Sequence, residues 1–213
     1  STSDGQQMLW DAERTPVTMI AYAPFMSEAT PDASLTVNAL TNQSTEENVK
    51  SSDFLLMKAT VDPEQDLTAD GKLKISLNHA MSKLIIKITV NGTTDASMSK
   101  LGDMAINGAV VNATCDLSAA APVVVPAADA VVATVAPYKG TESCECILPP
   151  QKIAEGFSVN FSYDGKLYIW TAKEAIELEK GVEHTLTLNV NTTVRLAAKM
   201  ARNWATGQLI DRN

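Results

Sequence analysis

Apolar and polar residues alternate along much of the chain with a period of two. Leu73, Ile75 and Leu77 alternate with Lys74 and Ser76. Leu84, Ile86, Ile88 and Val90 alternate with Lys83, Lys87 and Thr89, and Ile85 breaks the pattern. Phe157, Val159, Phe161 and Tyr163 alternate with Ser158, Asn160 and Ser162. Val182, His184, Leu186, Leu188 and Val190 alternate with Glu183, Thr185, Thr187 and Asn189. Successive side chains of a strand point to opposite faces, so each run predicts a strand with one buried and one wet face, as in antiparallel sheets. Shorter candidates lie at 17–22, 35–40, 54–59, 131–136 and 146–148. Pro137, Pro149 and Pro150 stop the last two, because proline donates nothing to a ladder.

Turn residues separate these runs. Asp164-Gly165 lies between two alternating segments, and both residues tolerate a positive φ, so a tight type I′ hairpin is predicted there. Asn91-Gly92, Asp70-Gly71 and Lys180-Gly181 mark further turns. Helical signal is thin: 46–58 and 198–206 could each form a turn or two, without a sustained 3.6 period. Residues 61–71 are polar and acidic and read as a linker or long surface loop, and 119–129 reads as a loop crossing between sheets. Many short strands with Gly, Pro and Asn turns predict an all-β protein of antiparallel β-sandwich type. The expected division is a partial N-terminal β domain at 1–67, a complete C-terminal β-sandwich domain at 68–195, and a C-terminal extension at 196–213.

Composition and charge narrow the function. A chain of 213 residues buries enough surface to need no metal or disulfide for a stable core. Its net charge of −8 comes without any cluster of Lys and Arg, which argues against nucleic acid and against an anionic membrane surface. No apolar run approaches the roughly 18 residues of a membrane span. The polar start, Ser-Thr-Ser-Asp-Gly-Gln-Gln, carries no signal peptide, so the expectation is either a cytosolic chain or a mature one whose leader has been removed. Cys115, Cys144 and Cys146 are read as buried thiols; Cys144 and Cys146 are poorly spaced for a mutual bridge, and Cys115 could pair with either.

Candidate chemistry is sparse. Of the two histidines, His184 shares parity with Val182 and Leu186 and reads as a core or rim residue, while His79 has no Cys or His at metal spacing. No nucleophile elbow, phosphate loop, dinucleotide fingerprint, zinc-protease helix or EF-hand loop is present. Glu46/Glu47 and Glu177/Glu179 are carboxylate pairs of the kind any acidic protein carries. Five N-x-[ST] triplets, at Asn42, Asn91, Asn112, Asn160 and Asn191, are expected by chance in a Thr/Ser-rich β protein. No catalytic residue, cofactor or metal is nominated.

Six phrases, MLWDAERTPVTMIAYAPF (8–25), SSDFLLMKAT (51–60), GKLKISLNHAMSKLIIKITV (71–90), CECILPPQ (144–151), LEKGVEHTLTLNV (178–190) and ARNWATG (201–207), together resemble the fimbrillin-like family of Bacteroides-type pilus proteins. MLWDAERTPVTMIAYAPF (8–25) is similar to the family's "W…v.f.AYyP" strand, and SSDFLLMKAT (51–60) to its "sDlLyA". GKLKISLNHAMSKLIIKITV (71–90) resembles "v.L.F.HalSkL.i.it", with His79, Ala80, Ser82, Lys83 and Leu84 in register. CECILPPQ (144–151), LEKGVEHTLTLNV (178–190) and ARNWATG (201–207) resemble "a.llPQ", "f..G..Y.y.l.v" and "I..W..G". The resemblance implies a two-domain protein of transthyretin-like β-sandwiches, exported as a lipoprotein and displayed on the outer membrane; that the chain is no enzyme is expected from the missing catalytic constellations. It implies polymerisation into fimbriae: an N-terminal strand is removed by proteolysis, and a C-terminal strand of the next subunit fills the groove by β-augmentation. The lipobox cysteine of the family is absent from this sequence. The partners implied are other pilin subunits or copies of this chain, with a host or bacterial surface ligand. In this sequence the donor would be 194–213, with Leu196, Met200, Trp204 and Ile210 occupying a neighbour's pockets. The other reading of that segment is a short helix or strand packed on its own domain. A different function stands beside assembly: a surface lipoprotein module that binds glycan or a host protein.

Overall fold

The computed structural model describes residues 14–27, 30, 33–92, 94–153 and 155–190, together with the backbone of 195–196, 200–203 and 209–210. The chain runs through β1 (Val17–Ala23), β2 (Ser34–Thr36), helix α1 (Glu46–Ser51), β3 (Leu55–Val61), β4 (Asn78–His79), β5 (Ser82–Val90) and β6 (Thr94–Asp95). Next come β7 (Leu101–Val110), β8 (Ala113–Asp116), β9 (Val124–Pro126), β10 (Val132–Val135), β11 (Tyr138–Lys139), β12 (Cys144–Leu148) and β13 (Gln151–Ile153). The last stretch holds β14 (Ser158–Tyr163), β15 (Lys166–Thr171), β16 (Ile176–Leu178), β17 (Val182–Val190), β18 (Arg195–Leu196), β19 (Met200–Asn203) and β20 (Leu209–Ile210).

Two sheets form the body. One has the order β11-β12-β5-β17-β19-β20, with β18 also on β17 and β6 on β5. The other has the order β10-β7-β14-β15. Smaller sheets, β1-β3-β4, β2-β8-β9 and β13-β16, surround them. The all-β, antiparallel expectation holds with two departures among the described residues: β17 pairs with β5 in parallel from Glu183↔Lys83 to Val190↔Val90, and Asn42 and Ala136 form an isolated parallel bridge. Alternation fixes which face a residue takes and carries no information on strand direction.

One core cluster joins the elements. It takes Leu35, Val37, Ala39, Val49, Phe54 and Leu56 from before residue 67, and Ile86, Ile106, Val135, Leu148, Phe157, Val159 and Leu186 from after it. Ile85, the break in the β5 alternation, is 92% buried (8% exposed), because a central strand can be covered on both faces. The Asp164-Gly165 hairpin forms as predicted, with φ of 51° and 76° at its two turn residues and unbroken pairing from Tyr163↔Lys166 to Ser158↔Thr171.

Three expectations are corrected. Leu73, Ile75 and Leu77 form no strand: the backbone there makes a single bridge, Leu67↔Leu73, and Ile75 is 45% exposed. The pairing of β4 with β3 stops at Leu56↔Asn78, so the alternating run before it has no ladder to join. The segment 119–129 contains β9, which pairs with β8 and ends at Pro126, a position where a missing N–H is tolerated. The helix considered at 198–206 is replaced by strand β19 at 200–203, where the open edge of β17 supplies main-chain partners that outweigh helical propensity. The helix considered at 46–58 forms over Glu46–Ser51, capped by the Thr45 side chain, and then gives way to β3.

Candidate functional site

The nominated donor residues lie on the last strands. Leu196 is in β18, opposite Leu188. Met200 opens β19, opposite Thr185. Ile210 is in β20, opposite Ala201. Trp204 lies outside the described residues. The backbone of β19 therefore extends the main sheet beyond β17, from Thr185↔Met200 to Val182↔Asn203, and β20 adds to it in turn. β19 is thus paired with β17 on one side and β20 on the other, and main-chain pairing of this kind is what another chain's strand can replace.

A second feature is a cleft of about 290 Å³ between α1, β5 and the β11–β12 hairpin, lined by Glu46, Val49, Lys50, Asp53, Lys83, Tyr138, Glu145 and Ile147. Its charges are matched in pairs. His79 Nδ1 lies 2.7 Å from Asp53 Oδ2, Lys83 Nζ lies 2.8 Å from Glu145 Oε2, and Lys83 also faces Glu183 at 3.9 Å. The Tyr138 hydroxyl donates to Glu46 Oε1 at 3.1 Å, and that bond raises the phenol's pKa. Burial pushes the Asp53 carboxyl up, against the opposing pull of His79 and Lys83. Asp53 Oδ1 is buried without a hydrogen-bond partner. Among the described residues no group of three or more His, Cys, Asp and Glu is placed to hold a metal ion. The cleft is at the small end of ligand pockets, and no Ser, Thr or Cys is among the residues that line it.

The histidines divide as their surroundings dictate. His184 is 1% exposed, and its Nε2 accepts the Glu179 N–H at 2.9 Å. His79, which showed no partner in the linear sequence, is drawn to Asp53 by the β3–β4 pairing. All three cysteines are free and buried. Burial raises the Cys144 thiol to about 11 and pushes Cys146 higher still.

Two glutamines with structural roles escaped the sequence reading. Gln43 is fully buried; its Oε1 accepts the Ile147 N–H at 2.8 Å, and its Nε2 donates to the Ile147 carbonyl at 2.8 Å and the Leu40 carbonyl at 2.9 Å. Gln151 does the same for Val110, accepting its N–H and donating to its carbonyl at 2.9 Å each. Each amide stands in for a strand residue where the neighbouring ladder ends. Gln151 belongs to the PPQ phrase, the only signal that pointed to it. Lys58 also reaches across elements, donating to the carbonyls of Leu117 at 2.7 Å and Ala119 at 2.9 Å.

The described residues thus define an all-β protein built on two main sheets, with charge pairs in its cleft and an edge extended by its last strands. A family model described as fimbrillin-like matches residues 1–203, and the chain belongs to the fimbrillin-like family. Solved structures share the fold. A protein assigned to cell adhesion from Bacteroides uniformis superposes with a TM-score of 0.72 at 17% identity, covering 95% of this chain and 78% of that one. Another assigned to cell adhesion, from Bacteroides ovatus, gives 0.60 at 16% identity, covering 85% of this chain and 66% of that one. A fimbrial protein from Bacteroides ovatus gives 0.52 at 17% identity, covering 88% of this chain and 37% of that one. At these identities the likeness establishes the fold. No curated protein sequence matches the chain.

Proposed function

We propose that this chain is a structural, non-enzymatic subunit of cell-surface fimbriae, joined to its neighbours by strand exchange and supporting adhesion. Membership of the fimbrillin-like family over residues 1–203 carries the fimbrial part of the reading. The exchange part is supported by the placement of β19 and β20 at the edge of the main sheet. If the same segment leaves β17 and pairs in a neighbour, the bonds it makes within its own chain are replaced by equivalent bonds between chains, as in a domain swap. The partners are other pilin subunits or copies of this chain, and the location is the outer membrane, held by a lipid anchor. Deletion of 197–213 is expected to abolish fimbriae seen by electron microscopy on expressing cells while the remaining chain still folds. Undiminished fimbriae would remove the donor role and leave the family assignment intact.

One observation favours a second reading, in which the chain binds glycan or a host protein. Asp53 Oδ1 is a buried acceptor with its hydrogen bond unmade, and Asp53 lines the cleft. In that reading, replacing Asp53 by Asn lowers glycan or host-protein binding and leaves polymerisation unchanged.

A further inference from the structure

We propose that Asn91 is a site of spontaneous deamidation, and that the side chain of Asn189 holds the reaction back by occupying the main-chain nitrogen that starts it.

The sequence contains two Asn-Gly pairs, Asn91-Gly92 and Asn107-Gly108. In such a pair the main-chain nitrogen of the glycine attacks Cγ of the asparagine side chain. A C–N bond forms, the side-chain nitrogen leaves as ammonia, and a succinimide ring closes. Water then opens the ring at either of its carbonyls, giving aspartate or isoaspartate. Glycine favours the attack because no Cβ crowds the nitrogen. The asparagine side chain must be free to swing over, and the glycine nitrogen must be free to meet it.

The sheet shuts off Asn107. It sits inside β7, opposite Thr134 of β10 and Ser158 of β14. Its Oδ1 accepts from the Thr134 hydroxyl at 2.8 Å, and its Nδ2 donates to the Ser158 hydroxyl at 3.4 Å. Both ends of the amide are engaged, and strands on both sides fix the backbone.

Asn91 has no such enclosure. It and Gly92 are exposed in the turn after β5, with φ of 54° and 74°, a conformation that Asn-Gly pairs favour. What stands in the way is Asn189. The Gly92 N–H donates to Asn189 Oδ1 at 2.9 Å. A Cβ added to Gly92 would lie 3.5 Å from Asn189 Nδ2, so the amide of another strand fills the space that glycine leaves beside its nitrogen. Asn189 is itself fixed in place. The parallel pairing of β17 with β5 sets it opposite Thr89, whose hydroxyl donates to the same Oδ1 at 3.4 Å. The Asn91 N–H also donates to the Val190 carbonyl at 3.3 Å, which clasps the turn to the end of β17. To attack, the Gly92 nitrogen must give up its bond to Asn189 and turn towards Asn91 Cγ. Reaction places a carboxylate in this clasp, and the isoaspartate product lengthens its backbone, beside the strand on which β18 and β19 pair.

The test follows aspartate and isoaspartate at 91 and 107 by peptide mapping, with the folded protein held in mildly alkaline buffer. In the folded wild type Asn91 should react more slowly than in the urea-denatured chain, and Asn107 should stay intact. Asn189→Ala should speed the reaction at Asn91 roughly fivefold, the rate equivalent of one net hydrogen bond, and leave Asn107 unchanged. Asn189→Asp keeps the acceptor oxygen and should hold the wild-type rate. The proposal is overturned by an Asn189→Ala variant no faster than the wild type, by an Asn189→Asp variant as fast as Asn189→Ala, or by folded wild type reacting at Asn91 as fast as in urea. Should Asn189→Ala fail to fold, which reaction at Asn107 would reveal, Asn189→Val takes its place as a residue suited to a strand.

Discussion

A glutamine side chain ends in the same donor and acceptor as a peptide unit, and Gln43 and Gln151 use theirs to finish ladders that the main chain leaves open. Removing such a group strands buried polar atoms, at about 1–3 kcal/mol for each atom left unanswered. Gln43→Leu should therefore destabilise the fold by about 3 kcal/mol, seen as a lower urea midpoint with an unchanged slope. The exposed Gln65, whose Nε2 donates to Asp62, should lose under about 0.5 kcal/mol on change to Ala. The buried thiols give a second check at this scale. With Cys144 raised to about 11, about one molecule in a thousand carries its thiolate at pH 8. Native protein at pH 8 should resist alkylation for hours, and denatured protein should react at once. Rapid labelling of Cys144 in the folded state would refute its placement. The cysteines' burial was legible from sequence because free cysteine is among the most buried residue types. Gln43 was not, since its partner lies 104 residues away.

At the scale of elements, what the sequence shows best is what the chain settles locally. The Asp164-Gly165 turn needs only its own two residues to take positive φ, and it forms where the pattern placed it. The run at 73–77 has equally clear alternation and no partner strand, so its pattern predicts an element that does not form. The parallel pairing of β5 and β17 joins residues about a hundred positions apart and has no local signature. Two glycines separate local from non-local cost. Gly165 has φ of +76° and no atom within 4 Å of an added Cβ, so Gly165→Ala should cost only the left-handed penalty of about 1–2 kcal/mol. Gly108 has φ of +92°, and an added Cβ would lie 2.8 Å from the Gly156 carbonyl oxygen. Gly108→Ala should therefore cost clearly more than Gly165→Ala in the same denaturation assay. Equal costs would show that the close approach of β7 to the 156–157 backbone is wrong.

For the whole molecule, the family resemblance in the HAMSKL and PPQ phrases carried the function further than chemistry could, because the site proposed for strand exchange would be made of backbone. Strand exchange uses N–H and C=O groups, which every sequence possesses, and the only sequence trace of a donor is an apolar segment after the last core strand. The folded chain shows that segment's backbone in register with β17. Thr185 and Met200 are opposed Cα partners there, a spacing of about 4.5–5.5 Å that suits a disulfide. Fimbriae should be assembled in cells producing equal amounts of a Thr185→Cys chain and a Met200→Cys chain, then oxidised mildly. Strand exchange predicts an interchain disulfide joining the two variants, in the register seen within one chain. Intact fimbriae with no such link would contradict it.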